Sequence, residues 1–349
     1  MVTLKDIAKK CGVSPSTVSN ILNSKSNVGE QTRQRVLDYV NEIGYQPNYF
    51  AQSIRNQKNT RVISIITEDL TVFGATPVVE AIMAYCEDMN YRTVLMNLRL
   101  YKKWHSTWYN DAEKVKASFN PVIQEALAIR VDGIIYVAGH CRMINYFPPD
   151  FPIPAVISYG LSQDNVYPSI IIDDEKGGYD LTNYLIAKGH KKIGLIAGVM
   201  DNMHTKSRLI GYQKALFEGG VLFNPSFVYY GNWRRESGYH GAKLLLNEGV
   251  TAVFCMNDEM AAGVYDYMHE YNLRVGEDVS IVGFDNMELS DYLHPRLTTN
   301  EIQLGEIGKK SAEVMIEMLE NTESTGNEPV ITKIPCTLIE RDSVCNINN

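Results

Sequence analysis

The chain has 349 residues, 45% of them hydrophobic, with 33 Lys and Arg against 41 Asp and Glu and a formal charge of −8. At ~100–200 residues per domain this length holds two or three domains, and the apolar fraction excludes a disordered chain. No apolar run approaches the ~20 residues of a membrane span, and the opening Met1-Val2-Thr3-Leu4-Lys5-Asp6 lacks a secretion signal's apolar core, so a cytoplasmic protein is expected.

In chain order, Leu4, Ile7 and Ala8 stand at helical spacing behind Thr3, a ready cap, and Gly12-Val13-Ser14 breaks the helix. Ser14 reads as the next N-cap, with Pro15 at the first helical position, where an N–H would be orphaned anyway. Val18, Ile21 and Leu22 continue that helix. A third spans about Glu30 to Ile43, with Val36, Leu37, Val40 and Ile43 on one face, Gly44 past its end and Pro47 beyond. Two helices joined by a tight Gly-containing turn form a helix-turn-helix pattern. Its second helix presents Ser16, Thr17, Ser19, Asn20 and Asn23, whose hydroxyls and amides suit phosphates and base edges.

Charge agrees with that use. Residues 1–61 carry nine basic and four acidic side chains, a net +5, which leaves −13 for the rest. A cationic segment on an acidic body suits a polyanion partner, although a solvated basic face gives the same count.

From Arg61 onward, apolar β-rich runs alternate with helical segments: Val62–Ile66, Thr93–Met96, Gly133–Val137, Ala155–Ile157, Ile170–Ile172, Ile193–Ile196, Phe227–Tyr230, Ala252–Cys255 and Val279–Phe284. Short continuous Val/Ile runs between helices indicate parallel sheets covered on both faces. Nine exceed one typical sheet, so two α/β lobes are expected, with a border near Ser158–Ser162 and a return near Asn286–Tyr292. Ligands of such sheets bind beyond the carboxyl ends of the strands, which in a two-lobed body lie at the crevice between lobes.

Some segments carry less. Tyr101 to Tyr109 is aromatic and polar without clear periodicity, and reads as a loop packed by its own rings or as a lid or partner surface. Asp173-Asp174 reads as a helix or turn cap. The six cysteines form no C-x-x-C pair and no Cys/His cluster with zinc spacing, so reduced thiols and no metal are expected. There is no G-x-S-x-G, H-E-x-x-H or G-x-G-x-x-G, and Gly305 to Ser311 fails the phosphate-loop spacing and reads as a solvated helix face. No cofactor and no enzyme activity are expected. The rival is a cytosolic enzyme or plain sugar-binding module with an accidental helical head.

The stretch Val2-Thr3-Leu4-Lys5-Asp6-Ile7-Ala8, then Gly12 through Asn23, Thr32-Arg33, Val36 and Gly44-Tyr45-Gln46-Pro47-Asn48, resembles the DNA-binding head of the lactose-repressor (LacI/GalR) family. The likeness returns at Gly189-His190-Lys191-Lys192-Ile193-Gly194, Phe254-Cys255-Met256-Asn257-Asp258 with Ala261 and Gly263, and Asp278 through Asp285. It continues at Leu297-Thr298-Thr299 and Glu340-Arg341-Asp342-Ser343. It runs through nearly the whole chain in family order.

The resemblance implies an all-α helix-turn-helix head on a two-lobed α/β body of the periplasmic-binding-protein type (type I), with parallel sheets. It implies a homodimeric transcription regulator, a repressor, that reads a near-palindromic double-stranded operator and senses a small effector, with no membrane partner. The domains expected are residues 1–46 for the head, 47–60 for a hinge helix, and 61–159 with 292–320 for the first lobe. Residues 160–291 with 321–343 form the second lobe and 344–349 a tail. The chain stops six residues past Ser343 without a heptad stretch, so a dimer is expected rather than a coiled-coil tetramer.

By the same resemblance Pro15, Ser16 and Asn20 read bases, while Thr3, Ser14, Thr17, Ser19 and Asn23 hold phosphates or position the helix. The hinge, Asn48 to Gln57, matches at Ala51 and Ile54, with Asn48, Ala51, Ile54 and Arg55 expected on DNA and Ile54 as the wedge in the minor groove where relatives usually carry Leu. Ten residues are too few for a stable lone helix, so the hinge is expected to fold against DNA. In the body Arg208, Trp233, Asn257 and Asp285 fall on effector-contacting positions, with Glu68, Phe73 and Gly74 from the first lobe. Tyr159 stands where relatives often have Asp. Asp accepts two hydroxyls, Arg forks across oxygens and Trp offers an apolar face to a sugar ring, so a sugar is the expected effector, resting mostly on Trp233 and Glu68. Purine-binding relatives use similar Arg and Asp positions, which makes a purine or another small metabolite the alternative.

Overall fold

The computed structural model describes residues 2–22, 28–45, 60–105, 111–148, 150–321 and 330–348. They belong to two compact units, Met1–Thr60 and Arg61–Asn349. Asn23 and the hinge positions Asn48, Ala51, Ile54 and Arg55 lie outside the described residues.

The first unit holds α1 (Leu4–Cys11), α2 (Pro15–Leu22) and α3 (Glu30–Glu42). Thr3 and Asp6 form a capping box: the Asp6 N–H donates to Thr3 Oγ1 at 3.4 Å and the Thr3 N–H to Asp6 Oδ2 at 2.9 Å. Gly12 closes α1 at φ 65, where a side chain would be strained, so the tight turn follows. The Thr17 N–H donates to Ser14 Oγ at 3.1 Å, satisfying one orphan donor of α2. Ile7, Ala8, Cys11, Val18, Ile21, Val36 and Val40 meet in one small core. Burying each Val or Ile contributes ~1.5–3 kcal/mol, little in total for so short a unit.

The second unit contains two six-stranded sheets. The first has the order β13–β7–β5–β3–β1–β2, all parallel: β1 (Val62–Thr67), β2 (Arg92–Asn97), β3 (Gly133–Val137), β5 (Ala155–Ser158), β7 (Ser169–Ile172) and β13 (Ile331–Ile334). The second runs β14–β12–β11–β10–β8–β9: β8 (Ile193–Ala197), β9 (Val228–Tyr230), β10 (Ala252–Cys255), β11 (Ser280–Asp285), β12 (Thr298–Glu301) and β14 (Thr337–Ile339). Only its β12–β14 pair is antiparallel. β1, β3, β5, β7, β8 and β10 are buried at every position, as strands covered on both faces must be. A two-stranded ribbon, β4 (Met143–Ile144) with β6 (Leu161–Ser162), sits beside the first sheet.

The lobe borders differ from those expected. β7 pairs in the first sheet, although the border near Ser158–Ser162 assigned it to the second lobe. β12 belongs to the second sheet and β13 to the first, the reverse of the expected halves. The chain therefore crosses between lobes three times, after Ile172, after Glu301 and after Ile334. Apolar content identifies a strand but not its neighbour, and Thr298-Thr299-Asn300-Glu301 carries no apolar run to betray it.

Helix α4 (Ala75–Asp88) packs against α12 (Leu304–Glu320) so closely that a Cβ on Gly308 would stand 2.3 Å from the Val78 carbonyl. Ile307, Gly308 and Ser311 are buried there, so the segment expected to be a solvated face is partly a packing face. The aromatic segment begins as a short helix, α5 (Leu100–Trp104), with Tyr101 edge-on to His105 at 5.9 Å; residues 106–110 lie outside the described residues. All six cysteines are free thiols. Among the described residues no helix is long and apolar enough to cross a membrane.

Candidate reading helix and inter-lobe cleft

On the head, Ser14, Pro15 and Ser16 are exposed at the start of α2, and Thr17, Ser19 and Asn20 are half-buried along it. Ser14 Oγ lies 2.6 Å from Ser16 Oγ and 2.8 Å from Thr17 Oγ1, a cluster of hydroxyls at a helix N-terminus, where an anionic oxygen is favoured. The Thr3 hydroxyl donates to Asp6 Oδ2 at 2.7 Å, so its evident work is to cap α1. The same bonds hold the Asp6 carboxyl below its usual range.

In the body, the carboxyl ends of the two sheets bring together Arg208, Asp285, Trp233, Asn257 and Tyr159. Arg208 lies on α8 (Met203–Glu218), 3% exposed. Its Nε donates to Asp174 Oδ1 at 2.7 Å and its Nη1 to the Met256 carbonyl. Its guanidinium stacks on the Phe284 ring, 3.6 Å from the centroid. Gly177, on α7 (Asp174–Ala187), makes room for that ring: a Cβ there would come within 2.7 Å of Phe284 Cζ. Arg208 is thus fixed before any ligand arrives.

Asp285 ends β11 at φ 107, a backbone strained for a side chain, with its carboxylate 11% exposed. Among the described residues it accepts no hydrogen bond and reaches only Arg208 Nη1, at 3.7 Å. Burial pushes its pKa well above the usual carboxylate range; Arg208 opposes that rise, while Asp258 and Asp174 add to it. An unsatisfied acid beside a fixed guanidinium suits a ligand that brings hydrogen-bond donors.

The Trp233 ring, half-buried, lies flat on the backbone after β8, where a Cβ on Gly198 would stand 2.1 Å from Trp233 Cε2. Asn257 holds it there: its Nδ2 donates to the Trp233 carbonyl at 3.0 Å, and its Oδ1 accepts the Met260 N–H at 2.9 Å, capping α10 (Asp258–Glu270). Both ends of the amide are committed, which makes Asn257 a positioning residue.

Glu68 departs most from expectation. It is fully buried, and its carboxylate accepts from Tyr136 Oη at 2.7 Å, the Gly139 N–H at 2.6 Å and both Nη atoms of Arg142. Arg142 also donates to Tyr146 Oη at 2.7 Å. This network lies within the first lobe and leaves Glu68 no lone pair aimed at a ligand. Phe73 is 42% exposed, and Gly74 starts α4 at φ 86, where a Cβ would stand 3.9 Å from Tyr159 Cζ. Tyr159 is buried, its phenol pushed well above its usual pKa by burial and by Asp285.

Two residues of this site escaped the sequence. Of Asp173-Asp174, only Asp173 caps, accepting the Lys176 N–H at 3.3 Å. Asp174 turns inward and is shared between Arg208 and His204, whose Nδ1 lies 2.7 Å from Asp174 Oδ2. Burial works against its ionisation, but His204 and Arg208 hold its carboxyl below the usual range. His204 precedes Arg208 by four residues, the spacing of one helix face, which is the signal that could have found it.

Known proteins share this architecture. Residues 3–48 match the model of the lacI family of bacterial regulatory proteins, and residues 182–344 match that of the periplasmic binding protein-like domain. The chain is 32% identical over 349 residues to the HTH-type transcriptional regulator RegA of Clostridium saccharobutylicum, with 98% of each chain covered. It is 30% identical to the HTH-type transcriptional repressor PurR of Vibrio atlanticus, with 100% of each covered. Among solved structures, the lac repressor dimer bound to operator and the anti-inducer ONPF is similar with a TM-score of 0.77, at 26% identity and 99% coverage of both chains. By its sequence along its full length, the chain belongs to the lacI family of bacterial regulatory proteins, a transcription regulator rather than an enzyme.

Proposed function

We propose that the protein is a repressor that binds a near-palindromic operator as a homodimer and changes its grip on DNA when a small molecule occupies the inter-lobe cleft. The operator and the dimer are carried over from the similar lac repressor complex. The exposed hydroxyls at the start of α2 and the net +5 of the first 61 residues support the DNA side. The observation that carries the ligand side is the pairing of Arg208, fixed on Phe284 and Asp174, with Asp285, which accepts no hydrogen bond among the described residues.

A sugar is the first reading of the effector, with its hydroxyls on Asp285 and an apolar ring face on Trp233. A nucleobase such as a purine is the second. It is favoured by the commitment of Glu68 to Arg142 and by Tyr159, which leave the first lobe's side richer in ring faces than in free acids. Thermal-shift screening of the purified protein against panels of sugars and purines, repeated with Asp285→Ala, tests both. A ligand raises the melting temperature through linkage, and the shift should vanish in the variant. A hit that stabilises Asp285→Ala as well as the wild type binds elsewhere and removes the cleft from the account.

A further inference from the structure

Arg61 is the first residue of the body, directly after the expected hinge, and it is clamped by two neighbouring strands and two helix ends. Its backbone stands at φ 52, a left-handed conformation that strains a side chain. Asp132 Oδ2, beside β3, accepts its N–H at 2.7 Å, and the Arg92 N–H of β2 donates to its carbonyl at 2.8 Å. Its guanidinium carbon lies 4.2 Å from the centroid of the Tyr91 ring. Nε donates to the Asn90 carbonyl at 3.0 Å and Nη2 to the Met89 carbonyl at 2.7 Å. Those carbonyls follow the end of α4, where a cation meets the negative pole of the helix. Glu320, the last residue of α12, stands 3.8 Å from Nη2.

Both helices begin at the cleft. Gly74 caps α4, and a Cβ there would stand 3.9 Å from Tyr159 Cζ and 3.1 Å from Leu304 Cδ2. Leu304 starts α12 just after the second crossover between the lobes. Further along, the close approach of Gly308 to the Val78 carbonyl leaves the pair no room to slide, so they move together. At 1.5 Å per residue they run about 20–25 Å, side by side, from the ligand cleft to the residue where the chain departs for the head.

From this we infer that Arg61 is a positioning residue for DNA binding, which fixes the start of the linker to the far ends of α4 and α12 and so relays lobe movement at Gly74 and Leu304 to the head. The inference rests on the reading of the cleft as the effector site and of the head as the operator reader. A linker with a loose start must be ordered afresh at each binding event, in both protomers, whereas a fixed start lets the state of the lobes set that cost. Two simpler roles, a direct phosphate contact and plain support of β1, give different results.

Arg61→Met keeps an apolar stem over Tyr91 and removes every guanidinium donor. Asp132→Ala frees the Arg61 backbone N–H, and Asp132→Asn keeps an acceptor for it. Fluorescence anisotropy of the full-length proteins, without ligand and at several salt concentrations, uses a duplex that the wild type selects from a randomised pool. Melting curves check that each body is folded at the assay temperature, and the Asp132 pair carries the test if Arg61→Met is not. Arg61→Met and Asp132→Ala should each bind at least about tenfold more weakly, and Asp132→Asn like the wild type. Charge alone predicts the opposite for Asp132→Ala, since losing an acid favours a polyanion. The salt slope should stay unchanged in Arg61→Met, whereas a lost phosphate contact lowers it by about 1. Leu304→Ala, at the far end of α12, should change the affinity at least about threefold in the wild-type background and not in Arg61→Met, although sites so distant otherwise add. Wild-type affinity in Arg61→Met or Asp132→Ala, a reduced slope, or a Leu304→Ala effect that is absent or equal in both backgrounds overturns the relay. If the wild type selects no duplex, the operator reading falls and the relay with it, a result visible apart from the others.

Discussion

The Arg208 guanidinium carbon stands 3.6 Å from the centroid of the Phe284 ring, and the next residue, Asp285, turns its carboxylate toward the same guanidinium. One strand end thus supplies both the seat of the cation and the acid that faces it. A desolvated cation–π contact contributes ~2 kcal/mol, and breaking a buried ion pair costs ~3–5 kcal/mol because its partner is left uncompensated. Arg208→Lys keeps the charge but loses the fork that reaches Asp174 and the Met256 carbonyl together. We expect urea denaturation of this variant to show the body destabilised by about 3 kcal/mol. Wild-type stability would remove Arg208 from the set of fixed groups.

Asn257 bonds to the cap of α10 and to the loop that carries Trp233. Asn257→Ala should cost about 1–2 kcal/mol, the usual range for a lost N-cap, and shift the Trp233 emission to longer wavelength as the ring loosens. A stability loss without an emission change would limit Asn257 to capping.

Asp258 is fully buried, with its carboxyl pushed up to about 7 by burial, although Thr299 Oγ1 at 2.6 Å and the Met287 N–H at 2.7 Å both donate to it. Its folded pKa stands above the ordinary 3.8, so the folded state holds the proton more tightly. That contribution to stability is complete below the unfolded value and is lost as pH rises through about 7. Asp258→Asn can keep the Met287 bond through its carbonyl oxygen and donate to Thr299. Melting curves should show the variant gaining on the wild type from pH 5 to pH 8. A constant difference across that range would contradict the assignment.

On the head, Asn20 is the amide on α2 that suits bidentate pairing with adenine. Asn20→Ala should relax discrimination at one base pair in each half-site, by about 1–3 kcal/mol, when affinities are measured across base-substituted operators. Ser14→Ala should instead lower head stability by about 1 kcal/mol through the lost cap and weaken all sequences alike.

The head's helices and the nine apolar strands were legible because local chemistry dictates them: Ser14 with Pro15, Gly12 with its positive φ, and Val/Ile runs that are buried on both faces in the inner strands and half-exposed in the edge strands β2 and β9. The cleft was only partly legible. Arg208, Trp233 and Asp285 stand together at the strand ends where the sequence placed them, whereas the fate of Glu68 depended on Arg142, 74 residues away. Asp174 and His204 looked like ordinary capping and helix residues, because the bonds that join them to Arg208 and to the Cys141 N–H are long-range and no local pattern encodes them. The lobe borders failed for a similar reason: strand order is a long-range property, and β12 is polar.

Occupancy of the Arg208–Asp285 cleft should control DNA binding. The most direct test is the affinity, by fluorescence anisotropy, of the full-length protein for a duplex selected from a randomised pool, with and without a ligand found by thermal shift. The selected site should be near-palindromic, and its affinity should change at least about tenfold with ligand in the wild type and not in Asp285→Ala. Selection of no preferred sequence, or a ligand effect of equal size in both proteins, would contradict it.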